Sequence, residues 1–321
     1  MAKWIGYFGL LLLALLWGTM VPVVNHLLQR WDPYFLAAFR YLGAVPIMWA
    51  ALSLLERQRT VVPAGQARGK DVPKAGGWRV WPLGIIGIGC YSALYTIGVY
   101  NCHPITAAIL SATSPAVAAI VDRIVFRVPV NPRMVPAITL AILGSALATV
   151  HFGAGDMFDF RGGEILIVIA FACWSWYSTA AQNWCRGWSQ LRITTMTMST
   201  GGVGLVVIYG VAALLGGAHF PPPLPDNLVD WLIFAWMTIV LVAFGVYLWN
   251  FGVKRAGVVI ASLYLNLVPV VAIGIFALSG TAPTVMQMIG GLLVIAGIVM
   301  SELQMLKAKK PDPALESAHL T

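Results

Sequence analysis

Charged residues are almost absent from ten long stretches of this chain and gather between them. Each stretch is apolar over roughly 20 residues, the length that an α-helix needs to cross the hydrocarbon core of a bilayer. A helix satisfies its own backbone hydrogen bonds in lipid, where water is absent. The sequence therefore predicts an all-α integral membrane protein with ten transmembrane helices. The predicted spans are 6–28, 34–55, 80–101, 104–126, 133–151, 163–184, 191–215, 229–251, 256–279 and 284–305.

The composition excludes a soluble protein. Apolar and aromatic residues make up 59% of the chain and charged residues 10%, with a mean hydropathy of +0.82. A soluble domain is typically about a quarter charged. The net charge of +8 does not indicate a nucleic-acid partner, because the basic residues lie mainly in the loops. The expected partners are the lipid bilayer and a small-molecule substrate, and the sequence carries no signal of oligomeric state.

The basic residues separate by side when the loops are assigned alternately to the two faces of the membrane. With the N-terminus in the cytoplasm, 17 of the 20 Lys and Arg residues fall on the cytoplasmic side, and the exceptions are Arg30, Arg40 and Arg161. Cytoplasmic loops of membrane proteins carry such an excess of basic residues. The pattern predicts a multi-pass protein of a bacterial-type inner (plasma) membrane, with both termini cytoplasmic.

The chain contains a long internal repeat. Residues 94–118 match residues 248–272 at an offset of 154 without a gap. The matched pairs include Gly98 with Gly252 and Pro115 with Pro269. Five predicted spans separate the copies, and because five is odd, the second copy enters the membrane from the opposite side. This is the pattern of inverted-repeat transporters, which bind their solute where the halves meet.

The repeat divides the chain into two inverted five-helix halves. The first is predicted to cover residues 1–152 and the second residues 153–306, followed by a cytoplasmic tail over residues 307–321. A further match, of Trp17 with Trp174 at an offset of 157, supports the division.

Several weak motifs together resemble one known group of proteins. They are Trp17-Gly18 in the first span, Phe39-Arg40 in the second, the two alanine-rich helices with a proline, and the glycine-rich run 290–297. Over roughly residues 6–305 the chain resembles the drug/metabolite transporter superfamily, EamA type. Its aromatic-rich spans are most similar to the YddG-type exporters of aromatic amino acids and other neutral metabolites. The resemblance implies a transporter that works by alternating access.

No Asp or Glu lies in the middle of a predicted span. The small multidrug members of the resembled superfamily exchange protons for cationic drugs through a carboxylate in their first span. This chain offers Trp17, Thr19, Asn25 and His26 there, which disfavours that mechanism. His103 or a chain of waters remains an alternative route for protons.

An intramembrane enzyme is a distant alternative. Such an enzyme needs a nucleophile with a base, or metal ligands, at membrane depth. The chain has no HExxH motif, its five histidines fall near segment ends, in loops or in the tail, and its four cysteines lack CxxC spacing. We therefore expect no catalytic residue, no metal and no cofactor.

The candidate substrate-binding residues are aromatic or neutral and polar. Tyr91 and Tyr95 are one helical turn apart and share a face, as Trp174 and Tyr177 nearly do. The alternative is that these rings only pack the helix bundle. The predicted cavity-lining residues are Trp17, Tyr91, Tyr95, Ser111, Trp174, Tyr177, Tyr264 and Asn266.

Pro115 and Pro269 are predicted to kink two helices and to free backbone carbonyls, since proline removes a hydrogen bond. The neighbouring polar side chains either satisfy that backbone or face a substrate. Arg40 could bind a substrate carboxylate, but a structural role is favoured, because the Phe-Arg pair recurs in the resembled family whatever the substrate.

The predicted function is export of small neutral metabolites, most of all amino acids that include aromatic ones and methionine. A drug-like compound or a nucleotide or sugar derivative is the alternative solute.

Overall fold

The computed structural model describes residues 2–57, 77–129, 132, 135–148, 160–223, 225, 227–265, 267–280 and 283–308. Across these residues every regular element is helical and there is no strand. The α-helices are α1 (Ala2–Gly18), α2 (Met20–Leu27), α3 (Pro33–Arg57), α4 (Val80–Gly84), α5 (Tyr91–Tyr100), α6 (Pro104–Leu110), α7 (Ser114–Val125), α8 (Val135–Ala148), α9 (Gly163–Trp184), α10 (Gln190–Leu214), α11 (Leu228–Ala235), α12 (Gly245–Ala256), α13 (Val258–Tyr264), α14 (Leu267–Leu278) and α15 (Val285–Ala308).

A helix or a run of helices lies at each of the ten predicted positions. Six described spans are long and apolar enough to cross a membrane, namely Ile5–Leu27, Pro33–Glu56, Gly77–Tyr100, Gly163–Trp184, Gln190–Leu214 and Leu228–Ala256. A seventh results if α6 and α7, bent by 48° at their break, form one span. At the other three positions α8, α13 and α14 are shorter, and the apolar part of α15 covers only Val285–Gly297. An all-helical membrane fold is thus confirmed, and the count of ten and the inverted arrangement stay predictions.

The two copies of the sequence repeat form the same order of elements. Each is preceded by a π-helical segment, Ile85–Cys90 before α5 and Trp236–Phe244 before α12, and these segments end 154 residues apart. Each continues with a seven-residue helix, α6 or α13, whose bounds also differ by 154. After a break, each has a twelve-residue helix, α7 or α14. The matched sequences therefore adopt matching local structure.

The helices pack in pairs that the repeat relates to one another. α3 packs on α10 and α8 packs on α15, so each of these helices contacts its own counterpart. α5 packs on α9, and the counterpart helices α12 and α1 pack in the same way. Equivalent contacts of this kind are expected when two halves are related by a pseudo-two-fold axis.

Glycines allow two of these pairs to approach closely. A Cβ atom on Gly98 of α5 would lie 2.7 Å from Ile167 Cγ1 of α9. One on Gly252 of α12 would overlap Leu10 Cδ2 of α1. The two glycines are 154 residues apart and the two side chains that they face are 157 apart, so an equivalent contact between the halves occurs twice. Small residues at helix interfaces are typical of membrane proteins.

Large apolar side chains cover the outside of the helix bundle. Leu214 and Leu278 are about nine-tenths exposed, and Phe8, Leu54 and Ile124 are about two-thirds exposed. In water, continuous apolar surface of this extent would promote aggregation. In a bilayer it faces lipid tails, which is the environment that the hydropathy of the chain predicts.

Candidate functional site

A small cavity lies inside the bundle, where helices from both halves of the sequence meet. Its walls come from α1, α5, α9 and the residues around the breaks before α7 and α14. The lining residues are Trp17, Met20, Tyr91, Tyr95, Ser111, Phe171, Trp174, Leu265 and Val268. Five of the eight predicted cavity residues are among them, namely Trp17, Tyr91, Tyr95, Ser111 and Trp174.

The rings of the cavity wall contact one another around Trp174. The Trp174 ring centroid is 4.8 Å from that of Tyr91 and 5.7 Å from that of Trp17, and Tyr91 is 5.7 Å from Tyr95. Such spacings are typical of aromatic pairs, which add about 0.5–1.5 kcal/mol each beyond the burial of their area. The free space between the rings is about 30 Å³, enough for one or two water molecules.

The matched tryptophans differ in their hydrogen bonds. Trp17 Nε1 donates to Leu241 O at 2.9 Å, a carbonyl within the π-helical segment of the second half. Trp174 Nε1 is buried and has no acceptor among the described residues. The cavity wall therefore contains an indole N–H that donates to none of the described residues.

Five aromatic or apolar neighbours were not predicted, namely Met20, Phe171, Leu265 and Val268 of the lining and the adjacent Trp249. Phe171 lines the cavity one helical turn before Trp174, and Met20 lies one turn after Trp17. Trp249 packs 5.9 Å from Trp17 and 5.7 Å from Trp174, measured between ring centroids, and its Nε1 donates to a hydroxyl of α9 at 2.9 Å. The repeat contains a signal for it, because Trp249 corresponds to Tyr95 at an offset of 154.

Tyr177 does not line the cavity but belongs to a buried polar network beside it. Asn250 Nδ2 donates to Tyr177 Oη and to Thr194 Oγ1, both at 3.0 Å. Thr197 Oγ1 donates to Ile193 O at 2.8 Å, which leaves Tyr177 as the donor in its 3.2 Å contact with Thr197. Asn250 Oδ1 is buried and accepts no hydrogen bond from a described residue.

Of the two remaining predicted residues, Tyr264 is not among those that line the cavity. Tyr264 is half-buried at the end of α13, and its ring stacks on that of Tyr7 with centroids 6.2 Å apart. The next residue, Leu265, takes part in the cavity wall instead. Asn266 lies outside the described residues.

Arg40 is buried behind the cavity wall, with 1% of its surface exposed. Its Nη2 donates to Ser92 Oγ and, at 3.0 Å, to Thr96 Oγ1, so it links α3 to α5. Its guanidinium lies 5.6 Å from the ring centroid of Tyr41. These contacts are those of a structural cross-link. Nε and Nη1 find no acceptor in the described part of the chain, so binding of a solute carboxylate stays a prediction.

The predicted helix kinks take the form of breaks. Pro115 lies in the first turn of α7 and Pro269 in the first turn of α14, rather than inside a continuous helix. Proline is accommodated there because the first N–H groups of a helix have no partner within the helix. Thr113 Oγ1 donates to Leu110 O at 2.7 Å, so a local hydroxyl satisfies one carbonyl at the first break.

The two ends of the bundle differ in charge. At one end, which we call the basic end, α3 stops, α10 starts and α12 stops with Lys254 and Arg255. At the opposite end Asp230 of α11 accepts from His26 Nε2 at 2.9 Å and pairs with Arg30 Nε at 2.6 Å. These two bonds join the first half of the sequence to the second. The described residues contain no group of three or more His, Cys, Asp or Glu placed to hold a metal ion.

Comparison with known proteins agrees with this architecture. Uncharacterized transporter YyaM of Bacillus subtilis (strain 168) is 28% identical over 300 residues, covering 91% of this chain and 92% of that protein. Uncharacterized transporter YrdR of the same organism is 25% identical, covering 93% and 91%. A solved structure described as "Crystal structure of protein" shares the fold, with a TM-score of 0.67, 19% identity, and 96% and 99% of the two chains covered.

The model of the EamA-like transporter family matches residues 4–150 and 161–303, which together make up most of the chain. The two matched stretches correspond to the two halves of the repeat. The chain therefore belongs to the EamA-like transporter family.

Proposed function

We propose that this protein exports small neutral metabolites by alternating access, and that its substrates are amino acids, including aromatic ones and methionine. The observation that carries the proposal is the aromatic cavity. Rings from both halves of the sequence surround it, and none of its lining residues is charged. A solute with a bulky apolar part and a compact polar head suits such walls, because the rings stack on the apolar part and replace its water.

The polar head of the solute has specific partners in this proposal. The Trp174 indole N–H donates to a carboxylate oxygen of the solute, because it has no other acceptor among the described residues. Ser111 Oγ donates to Ala107 O at 3.4 Å, a long bond that it can exchange for one to the solute. A phosphorylated sugar or nucleotide would need several buried cations, and Arg40 is the single arginine or lysine buried in the described residues.

Alternating access accounts for the small volume of the cavity. Space for one or two waters is far too little for an amino acid, so the rings must separate before a solute enters. We propose that the ten helices form two inverted halves with both termini in the cytoplasm, and that rocking of these halves opens the cavity to either face. The matched element order and the pairing of α3 with α10 and of α8 with α15 support this arrangement.

The test is uptake of labelled amino acids into liposomes that contain the pure protein. We expect phenylalanine, tryptophan and methionine to enter faster than into empty liposomes, and to compete with one another. Measurement with and without a pH gradient separates facilitated transport from proton coupling. Trp174→Ala protein of equal thermal stability is the matched control, and it should lose transport of aromatic solutes most. Uptake equal to that of empty liposomes for every amino acid would reject the proposed substrate class.

A further inference from the structure

A second and larger cavity opens as a cleft at the basic end. Its volume is about 730 Å³, within the range of about 300–1,000 Å³ that is usual for small-molecule sites. Its walls combine the last turn of α3 with the first turn of α10 and the last turns of α12. The lining residues are Leu55, Glu56, Ser189, Gln190, Leu191, Tyr247, Phe251, Lys254 and Arg255.

The α12 wall of the cleft is aromatic and cationic. The rings of Tyr247 and Phe251 lie one helical turn apart with centroids 6.0 Å from each other. The Arg255 guanidinium lies 3.5 Å from the Phe251 ring centroid and donates from Nη1 to Phe251 O at 3.2 Å. Lys254 is exposed beside it. This wall therefore offers two positive charges at the edge of an apolar surface.

The facing wall carries a carboxylate that the protein already neutralises. Glu56 accepts a hydrogen bond from Ser189 Oγ and lies 3.9 Å from Arg192 Nε. It also lies at the N-terminus of α10, where the helix dipole favours a negative charge. The charges of Lys254 and Arg255 are therefore in excess, and the cleft favours a ligand with a negative group.

Polar side chains connect the cleft with the aromatic cavity. Gln190 lines the cleft and accepts from Gln182 at 3.2 Å, and its backbone oxygen accepts from Thr194 Oγ1 at 2.8 Å. Thr194 in turn accepts from Asn250, which also donates to Tyr177. Tyr177 is in ring contact with Trp174 of the cavity wall. A polar solute group moving between the two cavities would meet this series of hydrogen-bonding groups.

We propose that this cleft is a separate binding site for carboxylate-bearing solutes, at which they bind before they reach the aromatic cavity. Lys254 and Arg255 bind the carboxylate, and the rings of Tyr247 and Phe251 contact the apolar part. Only the role of this site in transport depends on the proposed function. Binding at the cleft itself is an independent property of the chain.

The test is protection of a cysteine in the cleft. Leu55→Cys is labelled with a maleimide in purified protein, and mass spectrometry of the peptide that contains residue 55 gives the labelling rate. We expect saturating phenylalanine to slow the labelling by about threefold or more, because a ligand in a pocket is in contact with the lining over about 70–90% of its surface and so covers residue 55. Phenylalaninamide has the same ring but no carboxylate, and it should not protect.

Substitutions show whether the two cleft cations bind the carboxylate. Protection should disappear in Lys254→Gln with Arg255→Gln, and persist in Arg186→Gln, which removes an exposed arginine outside the lining residues. It should also persist in Trp174→Ala, because that ring belongs to the aromatic cavity. If the double variant fails to fold, the exposed single change Lys254→Glu replaces it and should weaken protection as well.

The possible outcomes separate failure of the proposed cleft site from failure of the proposed function. Equal protection by phenylalaninamide, or full protection in the folded double variant, would overturn the cleft site. Amino acid transport without any protection in Leu55→Cys protein would also overturn it and leave the proposed function standing. Protection that needs the two charges, in a protein that transports no amino acid, would support the cleft and reject the proposed function.

Discussion

Trp17 and Trp174 occupy matched positions but form different contacts. The N–H of Trp17 ties α1 to a carbonyl of the second half, at Leu241. The N–H of Trp174 is buried beside the cavity with no acceptor in the described residues. Because both side chains have the same ring, replacing each with Phe tests the N–H group while keeping most of the aromatic surface.

For Trp174→Phe we expect weaker transport of aromatic amino acids without loss of stability. One hydrogen bond contributes a net of about 0.5–1.5 kcal/mol, so KM should rise by roughly twofold to tenfold. Initial uptake rates in liposomes, measured over a range of phenylalanine concentrations, give this value.

Trp17→Phe should behave in the opposite way. It removes the hydrogen bond from Trp17 Nε1 to Leu241 O, which contributes about 0.5–1.5 kcal/mol, and the thermal unfolding temperature should fall. If both variants lost stability equally and had unchanged KM, the assignment of the Trp174 N–H to the solute would be wrong.

The sequence predicted those cavity residues that are marked by their spacing along a helix or by a match in the internal repeat. Tyr91 and Tyr95 share a face at one-turn spacing, and Trp17 pairs with Trp174 through the repeat. Trp249 and Asn250 lie at the predicted end of the eighth span, where a tryptophan usually anchors at the membrane surface. The π-helical segment before α12 rotates the faces of α12 relative to those of a continuous α-helix. A regular helical period therefore does not predict which way Trp249 and Asn250 face. The partners of Asn250 come from α9 and α10, and tertiary contacts of this kind leave no periodic signal.

At the scale of elements, apolar length predicted the positions of the helices but not their breaks. Residues 104–126 and 256–279 are each predicted as one span with a kink at its proline, because each stretch is largely apolar over the length of a bilayer crossing. In the structure, the first is broken between α6 and α7, and the second contains the separate helices α13 and α14. The prolines are the local signal of these breaks, since proline begins a helix readily but disrupts its interior.

Close contacts at Gly98 and Gly252 give a prediction for helix packing. In Gly98→Ala the new methyl group would also lie 2.9 Å from the backbone oxygen of Gly163, which cannot turn aside. In Gly252→Ala it meets the flexible end of Leu10. Overpacking costs about 1–3 kcal/mol, and we expect Gly98→Ala to be the more destabilising change. Thermal unfolding in detergent measures the difference.

Gly210 is the matched control, because nothing lies within 4 Å of a Cβ atom at that position. Gly210→Ala should keep or raise stability, since alanine favours a helix by about 0.5–1 kcal/mol over glycine. A loss of stability in Gly210→Ala as large as that in Gly98→Ala would show that detergent and not packing sets the result.

For the whole molecule, the cluster of His26, Arg30 and Asp230 joins the two halves at the end opposite to the basic end. Asp230 lies on α11 and the two basic residues on or just after α2, so these bonds must break if that end opens. In Asp230→Asn, the carboxylate is lost while the shape is kept. We expect a Ser111→Cys reporter in the cavity to be labelled several-fold faster by an impermeant maleimide added from that side.

Asp122→Asn is the control for this experiment. Asp122 accepts from Thr179 Oγ1 at 2.9 Å, and thereby also joins the two halves, but it lies near the end of α7. Its replacement should not accelerate labelling from the side of Asp230. Equal acceleration in both variants would mean that general loosening, rather than opening of one end, exposes the reporter.

The predicted orientation of the whole chain is open to a direct test. A cysteine in the loop 59–79 should react only with reagent on the cytoplasmic side, and one in the loop 217–227 only with reagent outside. The reason is the confinement of 17 of the 20 basic residues to one side. Labelling of both loops from the same side would contradict the inverted arrangement, because the two loops precede the third and the eighth predicted spans, which the repeat matches.

The two π-helical segments have a mechanical consequence. A π turn holds one residue more than an α turn, and absorbing that residue into regular α geometry would turn the following helix by about 100° and advance it by about 1.5 Å. In the first half this screw motion would carry Tyr91 away from the cavity, and in the second half Trp249. In each half, the π-helical segment directly before α5 or α12 thus allows the aromatic face of that helix to rotate without any tilting of the helix. The two segments end at matched positions, so the same rotation is available in both halves.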